Sequence, residues 1–263
     1  MLLRNRTVMN IMSSAKSNHR TFSTRPVKFS SGASPGHEWK IEPTTGPESA
    51  TSTIIWLHGL GDTGQGWSDV ARTYQRHLPT TRFRFPTAPT QPITLNHGMR
   101  MPSWFDIKSV ENESRAFCED TLEEAVSLLN FYVEEEKSLG VCANKIVVVG
   151  FSQGGTVALE YGLSNHTNQP LAGVVALSTW APDRSDRGGD SISVPVFYGH
   201  GVDDNVVPFE LGKICAERIS SYPWYSGKVD FRSYSGIYHG ANEEELGDVL
   251  GFLRNVLGYD SKL

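Results

Sequence analysis

From residue 51 onward, short apolar runs alternate with amphipathic stretches. Residues 53–57 (TIIWL), 82–85, 145–149 (KIVVV), 173–177 (GVVAL), 194–198 (VPVFY) and 229–234 are rich in β-branched and aromatic side chains and predict strands. Several are apolar at nearly every position, so both faces of their sheet must be covered. Residues 115–137 supply cover. Leu122, Ala125, Val126, Leu129, Tyr132 and Val133 recur at three- and four-residue steps, which predicts a helix with Glu123, Glu124 and Glu134 to Glu136 on its solvated side. A final helix over 242–256 places Leu246, Val249, Leu250 and Leu253 on one stripe. The alternation implies a protein of α/β class: a mostly parallel sheet with helices on both faces, in one domain over 47–260. Residues 85–105 break the rhythm with Pro86, Pro89 and Pro92 and read as a long irregular segment.

Composition narrows the function classes. The 263 residues are 38% hydrophobic, enough for a packed core, and the net charge of −5 supplies no positive field for a polyphosphate, so nucleic-acid binding is excluded as the main role. No apolar run reaches the 18 or so residues that cross a bilayer. Cys118, Cys142 and Cys215 stand far apart, outside any disulfide or zinc spacing, and read as buried thiols. Residues 1–30 hold six basic residues, five serines and no acid. With the Ser/Gly/Pro stretch that follows, residues 1–46 read as a flexible extension carrying a possible mitochondrial or plastid transit peptide. Ser261-Lys262-Leu263 reads instead as a peroxisomal address for an import receptor, so a peroxisomal or cytoplasmic location is expected, with the organelle of the N-terminal signal as the alternative.

The candidate chemistry starts at Gly150-Phe151-Ser152-Gln153-Gly154, which leaves the 145–149 strand and enters a helical stretch. Strand, G-x-S-x-G and helix in that order form a nucleophile elbow that exposes the serine Oγ, and the Gln153 amide at the helix N-terminus faces a developing oxyanion. A serine needs a base, and the base needs an orienting acid. Asp203 and Asp204 follow the 194–198 strand, and His239 follows the 229–234 strand, which gives the order serine, acid, histidine. His200, at a strand end, reads as a structural hydrogen-bonding residue. The loop His58-Gly59-Leu60-Gly61-Asp62-Thr63-Gly64 contains G-x-G-x-x-G, yet residues 72–101 hold no acid for a ribose. An oxyanion role for the Leu60 amide fits it better than dinucleotide binding.

With Met101-Pro102-Ser103-Trp104-Phe105-Asp106 and His200-Gly201-x-x-Asp204-x-x-Val207-Pro208, these motifs closely resemble the acyl-protein thioesterases, lysophospholipase-like carboxylesterases of the α/β-hydrolase fold. The resemblance covers residues 51–257. It implies Ser152 as nucleophile, Asp204 rather than Asp203 as the triad acid, His239 as base, and Leu60 and Gln153 as oxyanion donors. It also implies hydrolysis of long-chain acyl thioesters on protein cysteines, or of lipid acyl esters, with no cofactor or metal. Met101, Trp104 and Trp180 are candidate walls of an acyl channel. The competing functions are a small-ester carboxylesterase or lysophospholipase and a non-catalytic acyl-binding protein.

Overall fold

The computed structural model describes residues 44–110, 115–164, 169–187 and 190–260. The transit-like sequence in residues 1–43 and the Ser261-Lys262-Leu263 tail lie outside the described residues. The central sheet has seven strands: β1 (Thr44–Thr45), β2 (Ser52–Leu57), β3 (Thr81–Arg84), β8 (Ile146–Phe151), β9 (Gly173–Leu177), β10 (Val196–Gly201) and β11 (Val229–Tyr234). Their spatial order is β1-β3-β2-β8-β9-β10-β11, and β1 alone runs antiparallel. Among the described residues the first strand of the sheet, at Thr44, lies inside the stretch assigned to the flexible extension.

Side chains alternate across this sheet, and both sets are apolar. Ile55, Leu57, Val148, Val174, Val196 and Tyr198 share one core with α3 (Glu119–Ser138), α4 (Gln153–Gly162) and α5 (Phe209–Ser221). Ile54, Trp56, Val147, Val149, Val175 and Phe197 share the other with α1 (Gly64–Trp67), α2 (Asp69–Tyr74) and α6 (Glu243–Leu257). The period of two in the strands therefore feeds two helical layers. Asn242 caps α6 by accepting from the Glu245 amide at 2.8 Å, and Gly258 ends it in the left-handed region with φ +83°.

Several expectations are corrected. Residues 85–105 are not irregular throughout: β4 (Thr90–Ile93) and β5 (Met99–Pro102) form an antiparallel hairpin. Pro92 and Pro102 hid it, because proline is tolerated only where no ladder donor is needed, as in a two-stranded ribbon with edges on both sides. A second ribbon joins β6 (Ile107–Ser109) to β7 (Ala116–Phe117). α5 went unforeseen because its buried stripe of Leu211, Gly212, Cys215, Ala216 and Ile219 is mostly small residues. Of the cysteines only Cys215 is buried; Cys142 is exposed and Cys118 intermediate.

Glu136 does not lie on the solvated side of α3. It is 1% exposed, accepting from Thr53 Oγ1 at 2.6 Å and pairing with Arg82 at 2.8 Å and Arg84 at 3.3 Å. Two arginines from β3 compensate its burial, so α3 is clamped to the sheet at the end remote from the G-x-S-x-G turn. Glu136→Ala, which takes a carboxylate from the buried Arg84, still paired with Glu135, and from the buried Arg82, still donating to the Glu48 carbonyl, is expected to reduce unfolding free energy by about 3 kcal/mol in urea titration. A change below about 1 kcal/mol would show that the clamp contributes little.

Candidate active site

The tight turn between β8 and α4 is fixed by lack of space. A Cβ on Gly150 would lie 2.1 Å from the Gly154 carbonyl oxygen, and one on Gly154 would lie 2.6 Å from that of Leu57. Between them Ser152 adopts φ +53° and ψ −120°, a region that L-residues occupy only when the surroundings hold them there. Its amide donates to Leu177 O at 2.8 Å, and Thr179 Oγ1 donates to its carbonyl at 2.6 Å. The backbone is gripped on both sides of the strained residue, by the end of β9 and by Thr179 just after it.

Asp204 and His239 arrive from neighbouring loops because β10 and β11 are parallel and in register through Gly201 and Tyr234. His239 Nε2 lies 2.9 Å from Ser152 Oγ, and His239 Nδ1 lies 2.8 Å from Asp204 Oδ2. The other oxygen of Asp204 accepts from the amides of Val206 at 2.8 Å and Val207 at 2.9 Å. Burial works against ionisation of Asp204. Hydrogen bonds from His200 and His239, the charge of His239 and the Val206 amide outweigh it and hold the carboxyl well below the usual range. Asp203 faces elsewhere, accepting from Gly236 N at 2.8 Å, and so staples the two loops together. His200 also hydrogen-bonds as expected for a strand end, with Nε2 3.0 Å from Val207 O.

The two amides proposed for an oxyanion sit on separate elements. Gln153 opens α4, where the first N–H groups have no acceptor in a preceding turn. Leu60 belongs to the loop after β2, shaped by His58. Ala88 N donates to His58 Nε2 at 2.9 Å, which places the ring proton on Nδ1, 2.6 Å from Gly59 O. Burial pushes the pKa of His58 down, so the ring is neutral.

The three proposed channel walls make different contacts. Trp104 is 3% exposed, and its Nε1 donates to His58 O at 2.8 Å, which braces the Leu60 loop. Met101 is half-buried, with its sulfur 3.6 Å from the Cβ position of Gly61. Trp180 does line a cleft of about 340 Å³, shared by Phe117 and Leu211 with the charged Arg115, Glu119, Arg184 and Arg218. Composition gave no sign of two further residues, Glu245 and Arg115. Glu245 is fully buried against Gly199, neither carboxylate oxygen has a hydrogen-bond partner among the described residues, and burial followed by the charges of Asp204 and Asp248 pushes its pKa up to about 8. No group of three or more His, Cys, Asp or Glu among the described residues is arranged to hold a metal, and no helix among them is long and apolar enough to cross a membrane.

With this geometry in place, comparison with known proteins decides the family. The sequence profile of the phospholipase/carboxylesterase family matches residues 40–257. The chain belongs to that family, on its acyl-protein thioesterase branch. It is 40% identical over 210 residues to acyl-protein thioesterase 1 of Yarrowia lipolytica, covering 77% of this chain and 91% of that one. To the protein of the same name from Mycosarcoma maydis it is 40% identical over 232 residues, covering 82% and 95%. Among solved structures, Arabidopsis thaliana SOBER1 superposes with a TM-score of 0.72 at 28% identity, covering 78% of this chain and 99% of that one. Zea mays acyl-protein thioesterase 2 gives a TM-score of 0.71 at 27% identity, covering 82% and 99%. The α/β-hydrolase fold expected from the sequence is thereby established.

Two measurements follow from this thioesterase-family site. Asp204→Asn is expected to lower kcat by about 10⁴-fold by disturbing the histidine tautomer, whereas Asp203→Asn, which keeps an acceptor for Gly236, should stay within about 5-fold. The reverse order in steady-state kinetics would move the acid to Asp203. For Glu245, a folded-state pKa of about 8 lies above the usual 4.5, so the folded protein keeps a proton that the unfolded chain releases. Its contribution to stability is present below pH 4.5 and is lost as pH rises to 8. Relative to neutral Glu245→Gln, the native protein should lose on the order of 1 kcal/mol per pH unit across that window in urea titrations. A constant difference from pH 5 to 8 would show that Glu245 is ionised in the folded state.

Proposed function

We propose that this chain is a serine hydrolase that removes long-chain acyl groups from protein cysteines through an acyl-enzyme on Ser152. The observation that carries this reading is the unbroken chain of two hydrogen bonds, 2.9 Å from serine to histidine and 2.8 Å from histidine to aspartate. His239 Nε2 takes the proton as Ser152 Oγ attacks the thioester carbonyl, and Asp204 stabilises the imidazolium. The negative charge that develops on the carbonyl oxygen falls to the Leu60 and Gln153 amides. The C–S bond then breaks, the cysteine leaves with the proton held by His239, and His239 next deprotonates a water that hydrolyses the acyl-Ser152 ester. The proton taken from the water passes from His239 to Ser152 Oγ as the acyl–oxygen bond breaks and the fatty acid leaves, so one water is consumed, serine and histidine are restored, and the cycle needs no cofactor.

A complete triad disfavours a non-catalytic acyl-binding role. The relatives named acyl-protein thioesterase support a thioester on a protein as the substrate class. The cleft beside Trp180 has charged lining, Arg115, Glu119, Arg184 and Arg218 among it, as well as Phe117 and Leu211, so the acyl-group reading rests on the relatives rather than on that cleft.

Ser152→Ala is expected to abolish labelling by a fluorophosphonate probe and to lower kcat by about 10⁴-fold or more, with His239→Ala equally damaging and the double variant little worse. Persistent labelling of the Ser152 variant would overturn the nucleophile. Each methylene buried against apolar side chains adds up to about 0.8 kcal/mol, so for a long-chain acyl substrate kcat/KM should climb several-fold per added CH₂ before a plateau. A substrate panel that instead peaks at acetyl esters would move the protein to small-ester hydrolysis.

A further inference from the structure

Arg115, just before β7, reaches the loop that carries Asp204. Its guanidinium donates from Nη2 to the carbonyl oxygen of Val206. That carbonyl and the Val207 N–H belong to one peptide group, and the Val207 N–H donates to Asp204 Oδ1 at 2.9 Å. In a trans peptide the C=O and N–H point in opposite directions, so the cation sits on one side of the group and the carboxylate on the other. A charge that pulls on the carbonyl polarises the amide and strengthens its N–H as a donor, the cooperative effect expected along a hydrogen-bonded chain. The peptide dipole is aligned with both charges.

Three further observations fit this arrangement. No carboxylate lies within ion-pairing distance of Arg115 among the described residues, although its neighbours Arg184 and Arg218 both pair with acids. Arg115 lies over the Trp180 ring, 4.9 Å from its centroid, so its side chain is held from the cleft side. Electrostatic attraction to Asp204 is the influence that opposes the cost of its burial.

We propose that Arg115 is a positioning residue of the triad, acting on Asp204 through the Val206–Val207 peptide. The proposal rests on the assignment of Ser152, His239 and Asp204 as an acyl-transfer triad. Arg115 touches neither the nucleophile nor the base, and its effect is confined to how firmly the acid is held as an anion. The charged or titratable groups that face Asp204 are then His200 from β10, His239 from the loop after β11, Glu245 from α6 and Arg115, indirectly, from the segment before β7.

The test compares Arg115→Met, Arg115→Gln and Arg115→Lys in the full-length protein with a soluble short-chain thioester. Arg115→Met keeps bulk on Trp180 but removes charge and donor. It is expected to lower kcat about 10-fold with KM changed less than about 2-fold and the melting temperature preserved, the cost of weakening one charge-assisted hydrogen bond. Arg115→Lys should recover most of that loss, and in the Met variant the acid limb of kcat/KM should move to higher pH, because removing a nearby positive charge favours protonation of the histidine–aspartate pair. Wild-type kcat in Arg115→Met, or a Lys variant as slow as the Met variant, would overturn the proposal. If Arg115→Met melts early, Arg115→Gln decides by the same criteria. Fluorophosphonate labelling of the wild type separates the two assignments: an unlabelled wild type defeats the serine mechanism itself, whereas a labelled wild type with a fully active Met variant defeats Arg115 alone.

Discussion

The close approach of three backbones at the β8–α4 turn is the constraint on which the site depends. Gly154 packs against the carbonyls of Leu57 and His58, and Gly150 packs against the carbonyl of Gly154 itself. No side chain fits in either place, and the residue between them is forced to a positive φ. A serine in that conformation lifts its Oγ clear of the sheet, within 2.9 Å of a histidine that belongs to a loop 87 residues later. The parallel register of β2, β8, β9, β10 and β11 brings the loops to one end of the sheet. The elbow supplies the strain, and the sheet supplies the order that sustains it.

Around the acid, the structure separates the two oxygens of one carboxylate by task. Oδ2 of Asp204 faces His239, while Oδ1 is held by two consecutive amides of its own loop. A carboxylate held that way cannot rotate to release the histidine without breaking backbone hydrogen bonds. Glu245 stands behind it, a buried acid whose burial favours the neutral form, so the triad anion does not face a second full negative charge at low and neutral pH. Arg115 balances the same carboxylate from the opposite side of a peptide. The electrostatics of the site therefore depend on side chains from elements other than the three that carry the triad.

The strand runs near 53–57, 145–149 and 173–177 announced the sheet because a strand buried on both faces has to be apolar nearly throughout, and that pattern survives without an alignment. The nucleophile and the base were legible for a similar reason: the glycines flanking Ser152 and the loop placement of His239 follow from backbone geometry. What could not be read was pairing at a distance. Glu136 looks like its neighbours Glu134 and Glu135 in the sequence, and only the register of β3 shows that Arg82 and Arg84 meet it. Trp104 reads as a wall in the sequence, and nothing there discloses that its indole N–H also donates to the His58 carbonyl. Spacing alone left Asp203 and Asp204 open, and the choice of Asp204 came from the family resemblance, because adjacent residues in a turn do not disclose the direction of each side chain.

One residue of the elbow couples parts of the site that are far apart in sequence. The Gln153 backbone opens α4 beside Ser152, while its side chain accepts from Trp104 N at 2.9 Å and donates to Ser103 Oγ at 2.9 Å and Phe105 O at 2.6 Å. Trp104 in turn holds His58 O, and His58 shapes the turn at Gly59 from which the Leu60 amide projects. A buried amide side chain with all its bonds made is costly to rearrange, since each lost partner leaves an unsatisfied polar group. The two amides assigned to the oxyanion are thus connected through Gln153, Trp104 and His58 by hydrogen bonds rather than held by independent loops. That linkage explains why the Met101–Asp106 segment, which contributes no triad residue, nevertheless carries so specific a sequence: its backbone and indole are the spacer that fixes the distance between the donors.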